Sequence, residues 1–158
     1  MNAEIFEWLQ GTALAVRVSE DWFPMVESMH VVALALVAGS IFIVDTRLVG
    51  FTSRQLRFTY VADRLLPWTW GAFICAAISG TLMFIANATS YVNNTPFRIK
   101  IVLLLLAGIN MLYFQLVTYR GVAAWDNGRP SGSARRAGYT SMLLWCGVIA
   151  SGRWIGFV

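Results

Sequence analysis

Four long apolar blocks constrain the fold of this chain more than any other feature. They cover about residues 23–49, 65–86, 97–119 and 137–157 of a 158-residue sequence that is 58% hydrophobic and 13% charged. About 20 apolar residues in a helix cross a hydrocarbon core of roughly 30 Å. Open strands are excluded there, because lipid offers no partner to unpaired backbone groups. We therefore predict an all-α fold: an integral membrane four-helix bundle that forms a single transmembrane domain over residues 1–158.

The segment before the first block has a different pattern. Its apolar residues recur at helical spacing, with acidic residues between them: Ile5, Trp8, Leu9 and Val16. This pattern predicts a short N-terminal amphipathic helix that lies in the membrane interface and is anchored by Trp8. An ordinary helix packed against the end of the bundle is the alternative.

The basic residues indicate how the chain is oriented. Two connections, the first and the third, each hold four arginines: Arg47, Arg54, Arg57 and Arg64, then Arg120, Arg129, Arg135 and Arg136. Because Lys and Arg collect in cytoplasmic loops, we predict these connections inside and both termini outside. The net charge of +4 is thereby explained without a nucleic-acid partner. Pro67 is expected to open the second helix, and residues 126–133 to form a flexible linker.

Ionisable residues inside the blocks predict a polar site within the membrane, since a charge at that depth is costly. His30 is the only histidine, and Glu27 lies one turn before it on the same helical face. Asp45 returns to within roughly 60° of that face. The predicted outward-facing site consists of Glu27, His30, Lys100 and Arg153. The wider intramembrane cluster also includes residues from other levels: Asp45, Arg98 and Asn110.

A purely structural explanation of these residues stands beside the functional ones. Glu27 would neutralise Arg153 or Lys100, Asp45 would pair with Arg64 or cap a helix end, and Asn110 would form an interhelical hydrogen bond. Small residues in the blocks predict close helix contacts: Gly39, Ser40, Gly71, Ala76, Ala77, Gly80 and Gly108. Cys75 and Cys146 lack metal-site spacing and are predicted to be small buried residues without a disulfide.

Two cofactors are compatible with His30. Haem b would take the imidazole as one axial ligand, with Met83 or the His30 of a second copy as the other. Copper would be bound by His30 with the thioethers of Met25 and Met29, since Cu(I) prefers such soft ligands. A proton or ion path through Glu27, His30 and Asp45 is a third option. No motif gives a positive case for catalysis.

Several segments together resemble an uncharacterised family of small bacterial four-helix inner-membrane proteins: residues 27–36, 44–50, 67–71, 97–100, 108–110 and 151–154. The resemblance implies a multi-pass protein of the bacterial inner membrane, with periplasmic termini. The family's motif positions correspond to Glu27, His30, Asp45, Arg47, Lys100, Asn110 and Arg153. More distantly, the layout is similar to copper-resistance D-type and cytochrome b-type four-helix domains. Those use several histidines, whereas this chain has one and carries Gln115 where related sequences tend to show another.

These observations together predict a non-catalytic subunit or partner of a redox or metal-handling membrane assembly. Its partners would be the lipid bilayer and other membrane or periplasmic subunits, including a second copy of this chain. A haem b electron carrier and a purely structural membrane subunit are the alternatives.

Overall fold

The computed structural model describes residues 2–52 and 55–157, which contain helices and no strand. Arg54, which was counted in the first connection, lies outside the described residues. The α-helices are α1 (Asn2–Gln10), α2 (Ala13–Arg17), α3 (Phe23–Val49), α4 (Phe58–Ala86), α5 (Ala88–Asn93), α6 (Thr95–Tyr113) and α7 (Gly132–Trp154). A π-helical turn, Val18–Trp22, joins α2 to α3, and α6 continues through Phe114–Thr118 and Tyr119–Ala124 in π and 3-10 geometry. The all-α class is therefore confirmed.

Three helical segments are long and apolar enough to cross a membrane: Ala13–Val49, Phe58–Ala86 and Thr95–Ala124. The fourth predicted block, residues 137–157, lies mostly in α7 and ends in a 3-10 turn, Ile155–Phe157. It is helical but is not one of these segments. The first turns of α7 carry Arg135 and Arg136, and glycine, serine and threonine recur along it, so its apolar content is lower. α7 packs against both α3 and α6, while α3 packs chiefly against α4. Three spanning-competent helices with α7 beside them are thus established.

The second helix begins at Phe58, earlier than the predicted residue 65, so the expectation that Pro67 opens it is wrong. The earlier start of α4 is due to Asp126, which is distant from this helix in sequence. The Phe58 amide donates to the Asp126 carbonyl at 3.1 Å, and the Thr59 amide donates to Asp126 Oδ1 at 2.8 Å. Asp126 therefore supplies the N-terminal cap of α4, which allows about two and a half helical turns before Pro67.

Arg47 ties the two arginine-rich connections together. Its side chain is completely buried, with Nε donating to the Leu56 carbonyl at 3.0 Å and Nη2 to the Asp126 carbonyl at 3.0 Å. Nη2 also reaches the Gly128 carbonyl at 3.5 Å. The linker that the sequence predicts to be flexible is therefore held at its beginning by a charge on α3.

The N-terminal helix packs on the end of the bundle. The Phe6 ring meets Phe84 edge-on at 6.3 Å between centroids, and Gln10 Nε2 donates to the Ala86 carbonyl at 3.4 Å. Ile5 and Trp8 remain exposed on the opposite side. The helix thus combines a docked face with an outward apolar face of the kind that enters a membrane interface.

Close helix contacts occur at only some of the small residues named above. A Cβ added to Gly80 would lie 2.9 Å from His30 Cε1, whereas one added to Gly39, Gly71 or Gly108 would meet nothing within 4 Å. Cys75 and Cys146 are both free, as predicted. Cys146 is nevertheless exposed, so its predicted burial is wrong, and Cys75 is only half-buried.

Candidate intramembrane polar site

His30 joins α3 to α4 in the half of the bundle where α3 begins. Its Nδ1 lies 2.9 Å from the Ala76 carbonyl oxygen and 3.0 Å from Ser79 Oγ. Because a carbonyl can only accept, the bond to Ala76 assigns the proton of the neutral ring to Nδ1 and leaves the lone pair on Nε2. The ring lies against Gly80, where any side chain would collide with it. Ser79 and Gly80 thus fix the position of the imidazole.

Lys100 brings a positive charge to the same layer from α6. It is close enough to His30 for the two groups to interact electrostatically. The end of its side chain passes over Gly152 of α7, where an added Cβ would be 3.8 Å from Nζ. No carboxylate within residues 2–52 and 55–157 pairs with this ammonium group. We call His30, Ser79, Gly80, Lys100 and Gly152 the outer polar layer, after the orientation that the sequence predicts.

The other charged residues predicted for this site lie at its edge. Glu27 is exposed and interacts with Tyr91 of α5: burial, followed by the Glu27 charge, raises the pKa of that phenol. Arg98 is exposed and donates to the Val92 carbonyl at 2.8 Å. Arg153 is also exposed, with its guanidinium 4.8 Å from the centre of the Phe157 ring. In the described residues, none of these three is ion-paired with His30 or Lys100.

Asp45 and Asn110 lie elsewhere on the α7 side of the bundle. Asn110 Nδ2 donates to the Ala137 carbonyl at 3.1 Å and so links α6 to α7. Asp45 is 5% exposed, and the Ser141 hydroxyl of α7 lies close to its carboxyl group. Neither residue contacts the outer polar layer. Helical periodicity places His30 and Asp45 near the same face of α3, yet His30 contacts α4 and Asp45 contacts α7.

The methionines predicted as ligands are not gathered around His30. Met83 packs with an apolar cluster of Val18, Val26 and Ala86. Met25 and Met29 line an open groove of about 410 Å³ between α3 and α4, and Cys75 lines it from α4. This thiol was not predicted as a ligand; its only sequence signal is its place in the second block. Within the described residues, no three His, Cys, Asp or Glu side chains are grouped to hold a metal ion.

Ser79, Gly80 and Gly152 are the members of the outer polar layer that were not predicted as site residues. Gly80 was predicted only as a close-contact residue, and Ser79 only adjoins it. Gly152 is adjacent to Arg153 in the last motif segment, and nothing in the local pattern distinguishes its role from that of neighbouring small residues. Contacts between helices distant in sequence decide which small residue faces a polar group.

Comparisons with known proteins give one positive result. No curated protein and no solved structure matches the chain, so the distant similarity to copper-resistance and cytochrome b-type domains stays a prediction. A family described as a family of unknown function, DUF6644, matches residues 6–158, which include every helix described above except the start of α1. The chain belongs to this family.

Proposed function

We propose that the protein is a non-catalytic subunit or partner of a redox or metal-handling assembly in the bacterial inner membrane. The outer polar layer would be the part of the surface that another chain recognises. This proposal rests above all on one observation: Lys100 carries its charge into the helix bundle without a carboxylate partner among the described residues.

Because an unpaired charge within a membrane is costly, we expect this lysine to pair with a residue of another chain. Ionisable groups in transmembrane segments are costly and pair with one another or line functional paths. Glu27, which the sequence predicts as a partner of Lys100 or Arg153, is exposed and interacts with Tyr91 instead. An acidic residue of a second membrane or periplasmic subunit would complete the charge balance at Lys100.

His30 adds the redox or metal-handling part of the proposal. A histidine that donates one ring N–H to a backbone carbonyl presents its other nitrogen in a fixed direction, which is the usual arrangement of a metal-ligating imidazole. The Ala76 carbonyl has that role here. The partner would therefore meet an oriented imidazole and an ammonium group in the same layer.

The test is the size of the assembly in membranes extracted with a mild detergent from the native host. We expect Lys100→Met to dissociate a high-mass species on native gels, whereas Lys100→Arg retains it. Arg98→Met is the matched control, because that exposed cation bonds to a backbone carbonyl of its own connection. A single low-mass species for the unmodified protein, or an assembly that persists in Lys100→Met, would refute the proposal.

A haem b electron carrier is the second candidate, and the orientation of His30 is the observation that favours it. Met83 supports it poorly as the second ligand, because it packs in the Val18 cluster. The His30 of a second copy would then be the other ligand. Protein purified from haem-replete cells should show a Soret band that His30→Ala abolishes, and colourless protein would exclude this candidate.

Copper handling would use a different set of ligands from the predicted one. Met25 and Met29 share their groove with Cys75, whereas His30 does not line it. Thioether and thiolate sulfurs are both preferred by Cu(I). The amount of copper that the purified protein retains should fall in Met29→Leu and in Cys75→Ser. If the variant with both substitutions retains as much copper as the unmodified protein, copper does not bind in this groove.

A further inference from the structure

A second polar feature lies between α3 and α7, separate from the outer polar layer. The two helices border a groove of about 280 Å³, near the lower end of the volumes found for small-molecule sites. Gly39, Phe42 and Asp45 line it from α3, and Trp145, Cys146 and Ile149 line it from α7. Apart from Asp45, these side chains are apolar or weakly polar.

Asp45 is the unusual member of this groove. It is 95% buried, since only 5% of its surface is exposed, and its Oδ2 has no hydrogen-bond partner in the described part of the chain. Ser141, one turn before Trp145, is the neighbouring hydroxyl on α7. A buried carboxyl oxygen without a partner costs about 1–3 kcal/mol or more. A ligand that offers a donor at this point would remove that cost.

The surroundings of Asp45 indicate which ligand chemistry fits. Phe42 is one turn before Asp45 on the same face of α3, and Trp145 lines the groove from the other helix. An aromatic face attracts a cation, most strongly where water is excluded. Carboxylate and aromatic rings therefore select positive charge, while Gly39 and Ile149 provide room for an apolar body.

We propose that this groove binds a lipophilic cation: an ammonium group attached to an apolar body. The ammonium group donates to Asp45 Oδ2 and lies against the aromatic rings. The apolar body extends past Gly39, where an added Cβ would meet nothing within 4 Å.

Photolabelling in lipid nanodiscs tests the proposal with the full chain. The probe is decylammonium carrying a diazirine, and its reference is decanol carrying the same group. Mass spectrometry then measures labelling of residues 142–149 of α7. We expect the ammonium probe to label this segment at least about tenfold more than the alcohol does, which corresponds to about 1.4 kcal/mol.

Two variants remove the site in different ways. Asp45→Asn keeps the shape but removes the charge, and Gly39→Leu fills the groove with a side chain that meets no described atom at its Cβ. Both should reduce ammonium labelling by about tenfold or more. Asp63→Asn and Gly71→Leu are the matched controls, because Asp63 is exposed and Gly71 faces open space outside the groove. If Asp45→Asn fails to fold, Gly39→Leu decides the test.

The proposal is overturned if the alcohol labels as well as the ammonium, since the groove would then accept any apolar chain. Unchanged labelling in Gly39→Leu would also overturn it. So would labelling that occurs in purified protein but is blocked in native membranes, because another protein chain would then occupy the groove.

Discussion

His30 links two helices in a bundle that has few polar groups. Its Nδ1 links α3 to Ala76 and Ser79 of α4, and Gly80 leaves room for its ring. The sequence predicted that this histidine matters, because it is the only one and lies inside an apolar block. It could not predict which of several small residues would face the ring, since that depends on the register between two helices.

Substitution of Gly80 measures how tightly this contact is packed. Gly80→Ala places a Cβ 2.9 Å from His30 Cε1, so the ring must move, and we expect a loss of about 1–3 kcal/mol in the free energy of unfolding. Gly71→Ala is the matched control: its Cβ meets nothing, and higher helix propensity should stabilise it by about 0.5–1 kcal/mol. Unfolding in mixed detergent micelles gives both values. Equal stability of the two variants would mean that the His30 contact is loose.

At the scale of elements, the ends of α3 and α4 are defined by residues distant in sequence. Asp126 supplies the cap of α4 through Thr59, whose amide and hydroxyl both donate to the carboxylate. Helix boundaries inferred from apolar periodicity missed the first turns of α4, because the capping group belongs to another connection. By contrast, α3 matches its predicted range closely, since its whole length is apolar and Gly50 ends it with a φ of 84°.

The cap should make stability depend on acid. Burial raises the pKa of Asp126, but hydrogen bonds from Thr59 and the charge of Arg57 outweigh it and hold the pKa below its usual value. The stabilisation is therefore complete above the unfolded pKa of about 3.9 and is lost as pH falls through the lower folded pKa.

Asp126→Asn should cost about 1 kcal/mol at neutral pH and remove this part of the acid dependence. Unfolding curves from pH 6 down to about 2.5 measure both effects. Asp63→Asn, which changes an exposed residue of α4, should keep the loss in acid. An acid dependence in Asp126→Asn that equals that of the unmodified protein would contradict the capping role.

Substitution of Arg47 should destabilise the protein more than substitution of Asp126 does. Arg47→Met removes the guanidinium donor from the Leu56, Asp126 and Gly128 carbonyls, of which the Asp126 carbonyl also accepts from the Phe58 amide. Hydrogen bonds to a charged group are each worth about 1.5–3 kcal/mol. We expect a loss of about 3 kcal/mol or more in the free energy of unfolding, with only partial recovery in Arg47→Lys, which lacks the planar fork. Arg64→Met, at an exposed site over the Tyr60 ring, should change stability by less than about 0.5 kcal/mol. Similar losses in both methionine variants would argue against the Arg47 contacts.

At the scale of the whole molecule, the helical class and the approximate blocks follow from the sequence, because lipid requires long apolar helices. The function of each polar residue does not follow in the same way. Arg47, counted as a topological charge, is buried in contacts with loops, and Asp45, expected to pair with Arg64 or cap a helix, lines a groove. Glu27 and His30 share a face by spacing, yet one is exposed and the other packs on α4. Such differences depend on how the helices pack against one another, which the sequence of a single block does not determine.

We propose that α7 crosses the membrane as well as the three spanning-competent helices, so that the bundle spans it four times with the outer polar layer beneath the periplasmic face. The most direct measurement is labelling of single cysteines by a membrane-impermeant maleimide in intact cells, with Cys75 and Cys146 replaced by serine. If the membrane is crossed four times, Ser90→Cys and Phe157→Cys should react from outside, whereas Asn127→Cys should react only after the membrane is opened. Labelling of Phe157→Cys only after opening, or of Asn127→Cys before it, would contradict the claim.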